Sequence, residues 1–343
     1  MVISLLAVLA IGCIAWAGAS SGLTYLFGVV LPYAAVLVFI GGVIWRMVYW
    51  SKSPVPFCIP TTGGQQKSLP WIRQATLDNP DTTWGVVKRM FLEVCLFRSL
   101  FRNTAADVVM DDDRTGGPRL VYYSSKWLWV FALLFHYCFL LVFLRHFRFF
   151  IEPVPSCLTW LETFDGILQI GAPRLFLTGV CLFVAVLFLL CRRLFNERLR
   201  YLSLANDYFP LFLITGLVGS GICLRYISKT DIASVKVFTM GLVHLSPVIP
   251  EGISPLFYVH LGFLSVLLMY FPFSKLMHMC GVFFSPTRNM ANNSRAVRHI
   301  NPWNPPKKYT TYAEYEDDFR EAMVEAGLPV DKPLADAPKA GAE

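Results

Sequence analysis

Four of the six histidines in the chain lie inside two long apolar stretches. His136 and His146 lie in the stretch 127–150, and two more histidines, His260 and His278, lie near residues 254–280. An ionisable side chain in an apolar segment of membrane length is costly and is most often functional. A single histidine there can be an ordinary buried residue, but two pairs on two segments favour a shared chemical role.

The spacing of these histidines indicates which of them can meet. On a helix, His136 and His146 are separated by about 15 Å of rise and about 80° of rotation. His260 and His278 are separated by about 27 Å, or five turns, and face one direction. In antiparallel helices, His136 would lie at the depth of His278, and the other two histidines would pair in the same way. The two spacings differ, and helix tilt or a kink at Pro272 would absorb part of the difference.

Two histidines facing each other across two helices suit haem iron better than other metals. Zinc and copper need more ligands, and no Cys, Asp or Glu lies at the right depth to complete such a site. Haem iron takes two axial ligands because the porphyrin supplies the other four, and iron with both axial positions filled carries electrons. The sequence therefore predicts two haems b. The predicted axial ligands are His136 and His278 for the inner haem and His146 and His260 for the outer haem.

Arginines and glycines at the same depths are candidates for contact with the haems. Arginines would neutralise the anionic propionates, or would be ordinary residues whose charged ends reach the membrane surface. Glycines would let the flat macrocycle approach a helix backbone, or would serve helix–helix packing. The candidates are Arg145, Arg148 and Arg225 for the outer haem, Arg192 and Arg193 for the inner haem, and Gly216, Gly219 and Gly221 on the fifth apolar stretch.

The composition predicts the elements that hold these residues. Of the 343 residues, 55% are hydrophobic and only 15% are charged, whereas a soluble domain is about a quarter charged. About twenty apolar residues cross a bilayer as a helix, and lipid requires backbone groups to pair internally. The predicted fold is thus an all-α integral membrane protein, a bundle of six transmembrane helices. The six stretches are 2–19, 23–50, 127–150, 173–194, 206–227 and 254–280.

The first stretch allows two interpretations. The segment "AWAGASSG" (15–22) resembles a signal-peptide cleavage site, but no Lys or Arg precedes the apolar run. Because a signal peptide normally has a basic N-terminal region, we favour a retained helix.

The distribution of Lys and Arg predicts the orientation of the bundle. These residues are concentrated between the second and third stretches, after the fourth stretch and in the tail. Positive residues stay on the cytoplasmic side, so both termini are expected in the cytoplasm and the protein in the cytoplasmic membrane. The predicted regions are two N-terminal transmembrane helices (1–50), a cytoplasmic loop (51–126), a four-helix haem-binding membrane region (127–281) and a cytoplasmic C-terminal tail (282–343).

Two cytoplasmic segments have amphipathic patterns. The segment 83–103 mixes Lys and Arg with Phe, Leu and Val. This pattern predicts a basic amphipathic helix on the inner membrane surface, or a packed loop helix. The segment 312–327 predicts a helix with acidic residues early and Gly327 at its end. Its apolar residues favour a docking face, with a solvated tail as the alternative.

The pattern His-x9-His followed by His-x17-His resembles that of the NarI-like family, the dihaem cytochrome b subunits of respiratory nitrate reductases and their relatives. The resemblance covers residues 136–278. It implies five core helices, which are the second to sixth stretches, with the first stretch as an addition. The tail, "NPWNPP" (301–306) followed by "YTTYAEYEDDFREAMVEAGLP" (309–329), is similar to that of the DsrM branch, the cytochrome b subunits of DsrMKJOP complexes in sulfur-metabolising prokaryotes.

This resemblance implies electron transfer between membrane menaquinone and a cytoplasmic iron–sulfur subunit that is similar to heterodisulfide reductases. A multihaem cytochrome c would belong to the same complex, sulfur chemistry would occur on other subunits, and no nucleic acid is expected as a partner. The quinone would bind beside the outer haem, where Arg174 matches the depth of a basic family residue. Candidate proton acceptors in the outer loop are Glu152, Glu162 and Asp165, with an ordinary solvated loop as the alternative for each of them.

Other classes of function remain open. A proton-relay transporter would need acidic residues within its spans and broken helices around a binding site, and neither signature is evident. A haem-based sensor would use the same ligands without electron transfer to a quinone. The chain could also be the gamma subunit of another NarI-like reductase. Neither a catalytic residue nor the direction of electron flow is predicted.

Overall fold

A computed structural model describes residues 1–53, 58, 67, 71, 73–110, 117–168, 171, 173–293 and 308–334. The "NPWNPP" motif lies outside these described residues. The described part is mostly helical and contains six helices that are long and apolar enough to cross a membrane. The prediction of a six-helix membrane bundle is confirmed. The six segments are Val2–Ser20, Leu26–Ser51, Lys126–Phe149, Leu177–Phe195, Ala205–Ile227 and Pro255–Phe273.

The helices and strands follow the chain in a simple order. The helices are α1 (Val2–Ser20), α2 (Leu31–Ser51), α3 (Thr83–Leu96), α4 (Arg98–Phe101), α5 (Lys126–His146), α6 (Ser156–Asp165), α7 (Leu177–Phe195), α8 (Glu197–Leu202), α9 (Ala205–Ile222), α10 (Ile232–Val243), α11 (Pro255–Tyr270), α12 (His278–Gly281) and α13 (Tyr312–Glu325). Strands β1 (Thr104–Met110) and β2 (Pro118–Ser124) form an antiparallel hairpin that starts with Thr104 opposite Ser124. Turns of π-helix at Leu26–Val30 and Cys223–Ile227 extend α2 and α9.

Helix α11 lies in the middle of the membrane bundle. It contacts α1, α2 and α9, while α9 also contacts α7. The core at this level contains Val186 of α7, Leu213 of α9 and Phe263 of α11. Helix α5 packs along α7 rather than along α11. The two helices that carry His136, His146 and His260 are therefore not packed directly against each other.

The sixth apolar stretch is not one continuous helix. Regular α-helix ends at Tyr270, and a 3-10 turn at Phe271–Phe273 follows. Ser274 is extended (φ −116°, ψ 178°), so His278 belongs to the separate short helix α12. The predicted kink at Pro272 is confirmed, because proline has no N–H to continue the helix. The expectation that His260 and His278 share one face of an unbroken helix is wrong for the same reason.

The segments outside the six spans were predicted only in part. The basic amphipathic stretch 83–103 is divided into α3 and α4 at Phe97, which has a left-handed backbone (φ 49°). The hairpin of β1 and β2 was not anticipated, nor were α6 and α10, which are too short to span a membrane. The predicted helix in the tail is present as α13, which begins with a capping box between Thr311 and Glu314.

Candidate functional site

The structure brings the four membrane histidines together as two pairs. The rings of His136 and His278 have centroids 5.9 Å apart and are nearly perpendicular, with an interplanar angle of 85°. The rings of His146 and His260 have centroids 6.5 Å apart and an interplanar angle of 15°. We call these the inner pair and the outer pair. The pairs are those expected from depth, and the break after α11 brings His278 beside His136 despite the unequal spacings.

Three of the four histidines bond the helix backbone through Nδ1. His136 Nδ1 lies 2.7 Å from the carbonyl oxygen of Ala132. His146 Nδ1 lies 2.6 Å from that of Val142, and His278 Nδ1 lies 2.9 Å from that of Lys275. A carbonyl oxygen can only accept, so Nδ1 donates, and in a neutral imidazole Nε2 then keeps its lone pair. Nε2 of each of these three rings is therefore available as a metal ligand.

Nδ1 of the fourth histidine, His260, is bonded by a serine side chain instead of a carbonyl of its own helix. Ser220 Oγ donates to the carbonyl oxygen of Leu217 at 2.9 Å and lies 2.9 Å from His260 Nδ1. Because the hydroxyl hydrogen is engaged by the carbonyl, the hydroxyl oxygen accepts from Nδ1–H. Beside it, a Cβ on Gly221 would stand 3.1 Å from His260 Cε1. Glycine at this position therefore leaves room for the ring.

The geometry of both pairs fits ligation of one metal ion by two imidazoles. An imidazole–metal bond of about 2 Å places the two ring centroids of such a pair about 6 Å apart. The observed distances of 5.9 and 6.5 Å bracket this value. No cluster of three or more His, Cys, Asp or Glu side chains suited to a metal ion occurs in the described part of the chain. A pair of nitrogen donors suits an ion whose other ligands come from a porphyrin.

The end of α3 lies beside one histidine of the inner pair. The ring of Phe97, at the break between α3 and α4, meets His136 edge-on with centroids 4.9 Å apart. Trp129 Nε1 donates to the carbonyl oxygen of Leu96 at 2.7 Å, and Tyr137 Oη donates to that of Cys95 at 2.8 Å. The end of α3 is thus fixed against α5, and this places Phe97 beside His136.

An arginine–aspartate pair is buried beside the outer pair. Arg145 Nη1 lies 2.6 Å from Asp165 Oδ2. Asp165 also accepts from the backbone N–H of Thr178 at 2.8 Å and from its hydroxyl at 2.6 Å. The ring of Phe176 lies 3.8 Å from Arg145 Cζ and 4.0 Å from Arg225 Cζ. Two residues predicted in different roles, Arg145 and Asp165, are therefore direct partners.

The other predicted residues at the outer end also have partners in the chain. Arg148 forms an ion pair with Glu162, and Glu152 forms one with Lys236. The carbonyl oxygen of Arg174 accepts from Arg225 Nη2 at 3.2 Å.

At the inner end, Arg193 Nη1 donates to Ser203 Oγ at 2.7 Å and lies 4.0 Å from Asp207 Oδ2. Arg192 is half-buried in the last turn of α7. Asp207 also bonds Lys275, which precedes His278, so Arg193 lies at the same end of the bundle as the inner pair.

The predicted glycines face other helices. A Cβ on Gly216 would stand 3.1 Å from the ring of Phe263, and one on Gly219 would stand 3.8 Å from Phe183. Gly216 thus allows close packing of α9 on α11, as the alternative interpretation proposed. Gly221 is the glycine of this helix that borders a histidine. Sequence reasoning missed the contact of Ser220, and the motif "GSG" (219–221) was its only signal.

Comparison with known proteins identifies the family of the chain. The family model described as the nitrate reductase gamma subunit matches residues 83–299. The Hdr-like menaquinol oxidoreductase cytochrome b-like subunit of Archaeoglobus fulgidus is 45% identical over 287 residues, which cover 82% of this chain and 84% of that protein. The protein of the same name from Archaeoglobus profundus is 42% identical over 283 residues, with coverage of 80% and 82%. The predicted family is confirmed: the chain is a multi-pass membrane protein that belongs to the nitrate reductase gamma subunit family.

Proposed function

We propose that the chain is the cytochrome b subunit of a membrane menaquinol oxidoreductase complex and binds two haems b. The observation that carries this proposal is the geometry of the inner pair and the outer pair. Their ring centroids are 5.9 and 6.5 Å apart, and the Nδ1 atoms of all four histidines are hydrogen-bonded. His136 and His278 would hold the inner haem, and His146 and His260 would hold the outer haem. When bound, the haems supply one-electron transfer across the membrane.

The names of the archaeal relatives support the choice of menaquinol as the quinone. In this proposal menaquinol meets the chain at the outer end, near Arg174 and the outer pair. Asp165 is buried, and its carboxylate is engaged by Arg145 and Thr178. Glu152 is 60% exposed and bonds Lys236 at the surface. Glu152 is therefore better placed than Asp165 to pass a proton to solvent, while Glu162 is held by Arg148.

The inner end is suited to bind a partner subunit. Glu93 of α3 forms an ion pair with Arg288 at 3.2 Å, and the backbone N–H of Asn292 donates to the carbonyl oxygen of Pro80 at 2.8 Å. These contacts join the segment before α5 to the segment after α12 in one unit, which we call the inner cap. The inner cap faces the cytoplasm in the proposed orientation. Its partner would be a heterodisulfide-reductase-like iron–sulfur subunit, as the "Hdr-like" name of the relatives suggests.

The exposed face of α3 would lie in the inner leaflet. Trp84, Val87, Phe91 and Val94 are exposed and recur at helical spacing, and Trp84 is 82% exposed. The opposite face is buried and contains Val86 and Arg89. Since the end of α3 is bonded to α5 within its membrane segment, lipid is the natural contact of this apolar face. Burial in the inner cap lowers the pKa of Arg89.

The finer assignment to a DsrMKJOP-like complex of sulfur metabolism is part of this proposal. It rests on the likeness of the tail, and a multihaem cytochrome c would then be a further partner. The chain would carry electrons and take part in quinone chemistry, with sulfur chemistry on its partners.

A reduced-minus-oxidised spectrum with a pyridine haemochrome count tests the proposal. The parent chain should contain two haems b that are reduced by a menaquinol analogue. His146→Ala and His278→Ala should each lose one haem and retain the other. Well-folded parent protein without b-type absorbance would favour the transporter class, and haems that no quinol reduces would favour a sensor.

A further inference from the structure

Three arginines supply all the buried side-chain nitrogen and oxygen atoms that lack a hydrogen-bond partner within the described residues. They are Arg46, Arg145 and Arg225, and Nε is such an atom in each of them. A buried guanidinium N–H without an acceptor is costly, so such a group indicates an anionic or polar ligand. Arg145 and Arg225 lie at the outer end beside Phe176. Arg46 lies at the inner end and received no role from the sequence.

Helix packing directs Arg46 towards the inner pair. A Cβ on Gly42 would stand 2.6 Å from Pro272 Cβ, so α2 approaches the break after α11 closely at this glycine. Residues four apart lie on the same face of a helix. Arg46 therefore follows Gly42 on the face of α2 that is turned towards α12. The guanidinium lies 5.3 Å from the ring of Trp50.

Arg46 and His278 line one cavity. This cavity has a volume of about 500 Å³ and is also lined by Trp50, Tyr270 and Lys275. The nearby carboxylate, Asp207, already bonds Lys275 Nζ at 2.5 Å. No ion pair of Arg46 occurs among the described residues. The cavity thus combines a predicted haem ligand with an uncompensated cation.

We infer that Arg46 binds a propionate carboxylate of the haem held by His136 and His278. This inference rests on the proposed function and identifies a residue at the same site. Trp50 would form an aromatic wall of the cavity and keep the guanidinium in place by cation–π contact. The same chemistry would also suit the phosphate of a lipid headgroup from the inner leaflet. The two ligands have different consequences for the haem, which allows them to be separated.

A cation beside a propionate stabilises the reduced haem, because reduction removes positive charge from the iron. Replacement of Arg46 by a neutral residue should therefore lower the midpoint potential of the inner haem. We expect the ratio of oxidised to reduced inner haem at a fixed potential to rise about tenfold, which is ~59 mV for a one-electron couple.

The experiment is a potentiometric titration of the full-length chain in nanodiscs, with the two b components assigned by His278→Ala and His146→Ala. Arg46→Gln should lower the inner potential and leave the outer one unchanged, and Arg46→Lys should restore part of the difference. Arg225→Gln is the matched control, since it removes the other half-buried arginine with an unpartnered Nε and should leave the inner potential unchanged. Selective loss of the inner haem in Arg46→Gln would also support the inference.

If both haem midpoint potentials of Arg46→Gln equal those of the parent chain, the inference is overturned. Loss of a bound phospholipid from that variant in native mass spectrometry would then assign the site to lipid. If Arg46→Gln does not accumulate, resonance Raman spectroscopy of Arg46→Lys replaces it. A shifted propionate-bending band supports the inference, and an unshifted band overturns it. A parent chain without two b components would refute the proposed function itself, which is a distinguishable result.

Discussion

Ser220 on α9 connects the helix backbone to His260 on α11, with its hydroxyl oxygen 2.9 Å from both the carbonyl oxygen of Leu217 and His260 Nδ1. The hydroxyl fixes the tautomer of the imidazole, because its hydrogen is already donated to the carbonyl. The other three membrane histidines obtain the same result from a backbone carbonyl. His260 is thus the one histidine of the two pairs whose orientation depends on another side chain.

Replacement of Ser220 by alanine should therefore affect one haem selectively. Loss of the acceptor at Nδ1 makes the imidazole a weaker donor to ferric iron, so the midpoint potential of the outer haem should rise. Affinity for the outer haem should fall by about 10–100-fold. Titration of the two b components measures both effects. Ser265→Ala is a suitable control, since Ser265 is a buried serine of α11 whose hydroxyl donates to the backbone carbonyl of Leu261.

The features predicted from the sequence are those that depend on long or regular patterns. Six apolar stretches of membrane length specify six helices because lipid leaves the backbone few alternatives. The depth of His136 and His146 follows directly from helical rise, so the histidines that face them could be identified from the sequence alone.

The features that were missed depend on tertiary contacts. Ser220 reaches His260, and the guanidinium of Arg46 reaches the cavity beside His278, only when packing fixes the rotation of α9 and α2. The position of His278 depends on how far the chain departs from a helix after Pro272, and sequence spacing does not specify this distance. The outer carboxylates were predicted as candidate proton acceptors, and the sequence did not indicate that Asp165, Glu162 and Glu152 each have a cationic partner.

The tail offers a test with a defined pH dependence. Glu316 accepts from the backbone N–H groups of Asp331 and Lys332 at 2.6 and 2.9 Å, and these bonds, with Arg320, lower its pKa. Because the pKa is lowered, ionised Glu316 stabilises the folded tail at pH values above about 4.3, the pKa of a glutamate in an unfolded chain. This stabilisation is lost as the pH falls through the pKa of Glu316 in the folded tail.

Glu316→Gln should therefore increase hydrogen exchange in residues 328–334 at neutral pH. The exchange of α5 and α11 should not change. Glu321→Gln removes the same charge from an exposed position of α13 and serves as the control. Equal exchange in the two variants would contradict a specific role for Glu316.

The proposed position of α3 in the inner leaflet predicts its accessibility to different quenchers. A nitroxide attached at Val87→Cys, in a background without the exposed cysteines, should be relaxed more by oxygen than by a water-soluble nickel complex. A nitroxide at Tyr122→Cys, on the exposed face of the hairpin, should show the opposite preference. If both positions prefer the nickel complex, α3 lies outside the lipid, and its apolar face would be available to a protein partner.

The buried pair of Arg145 and Asp165 should contribute far more to stability than its neighbour Arg148–Glu162. Asp165→Asn would leave the guanidinium of Arg145 buried with no carboxylate, and removal of one partner from a buried pair costs about 3–5 kcal/mol. Glu162→Gln removes a carboxylate from a half-exposed pair, for which a loss of about 0–1 kcal/mol is typical. Thermal unfolding of the two variants in the same detergent compares them directly. Asp165→Asn should unfold at a clearly lower temperature than both the parent and Glu162→Gln, with the spectrum of the inner haem unchanged. Equal unfolding temperatures would mean that Phe176 and a ligand at the outer end, rather than Asp165, compensate the charge of Arg145.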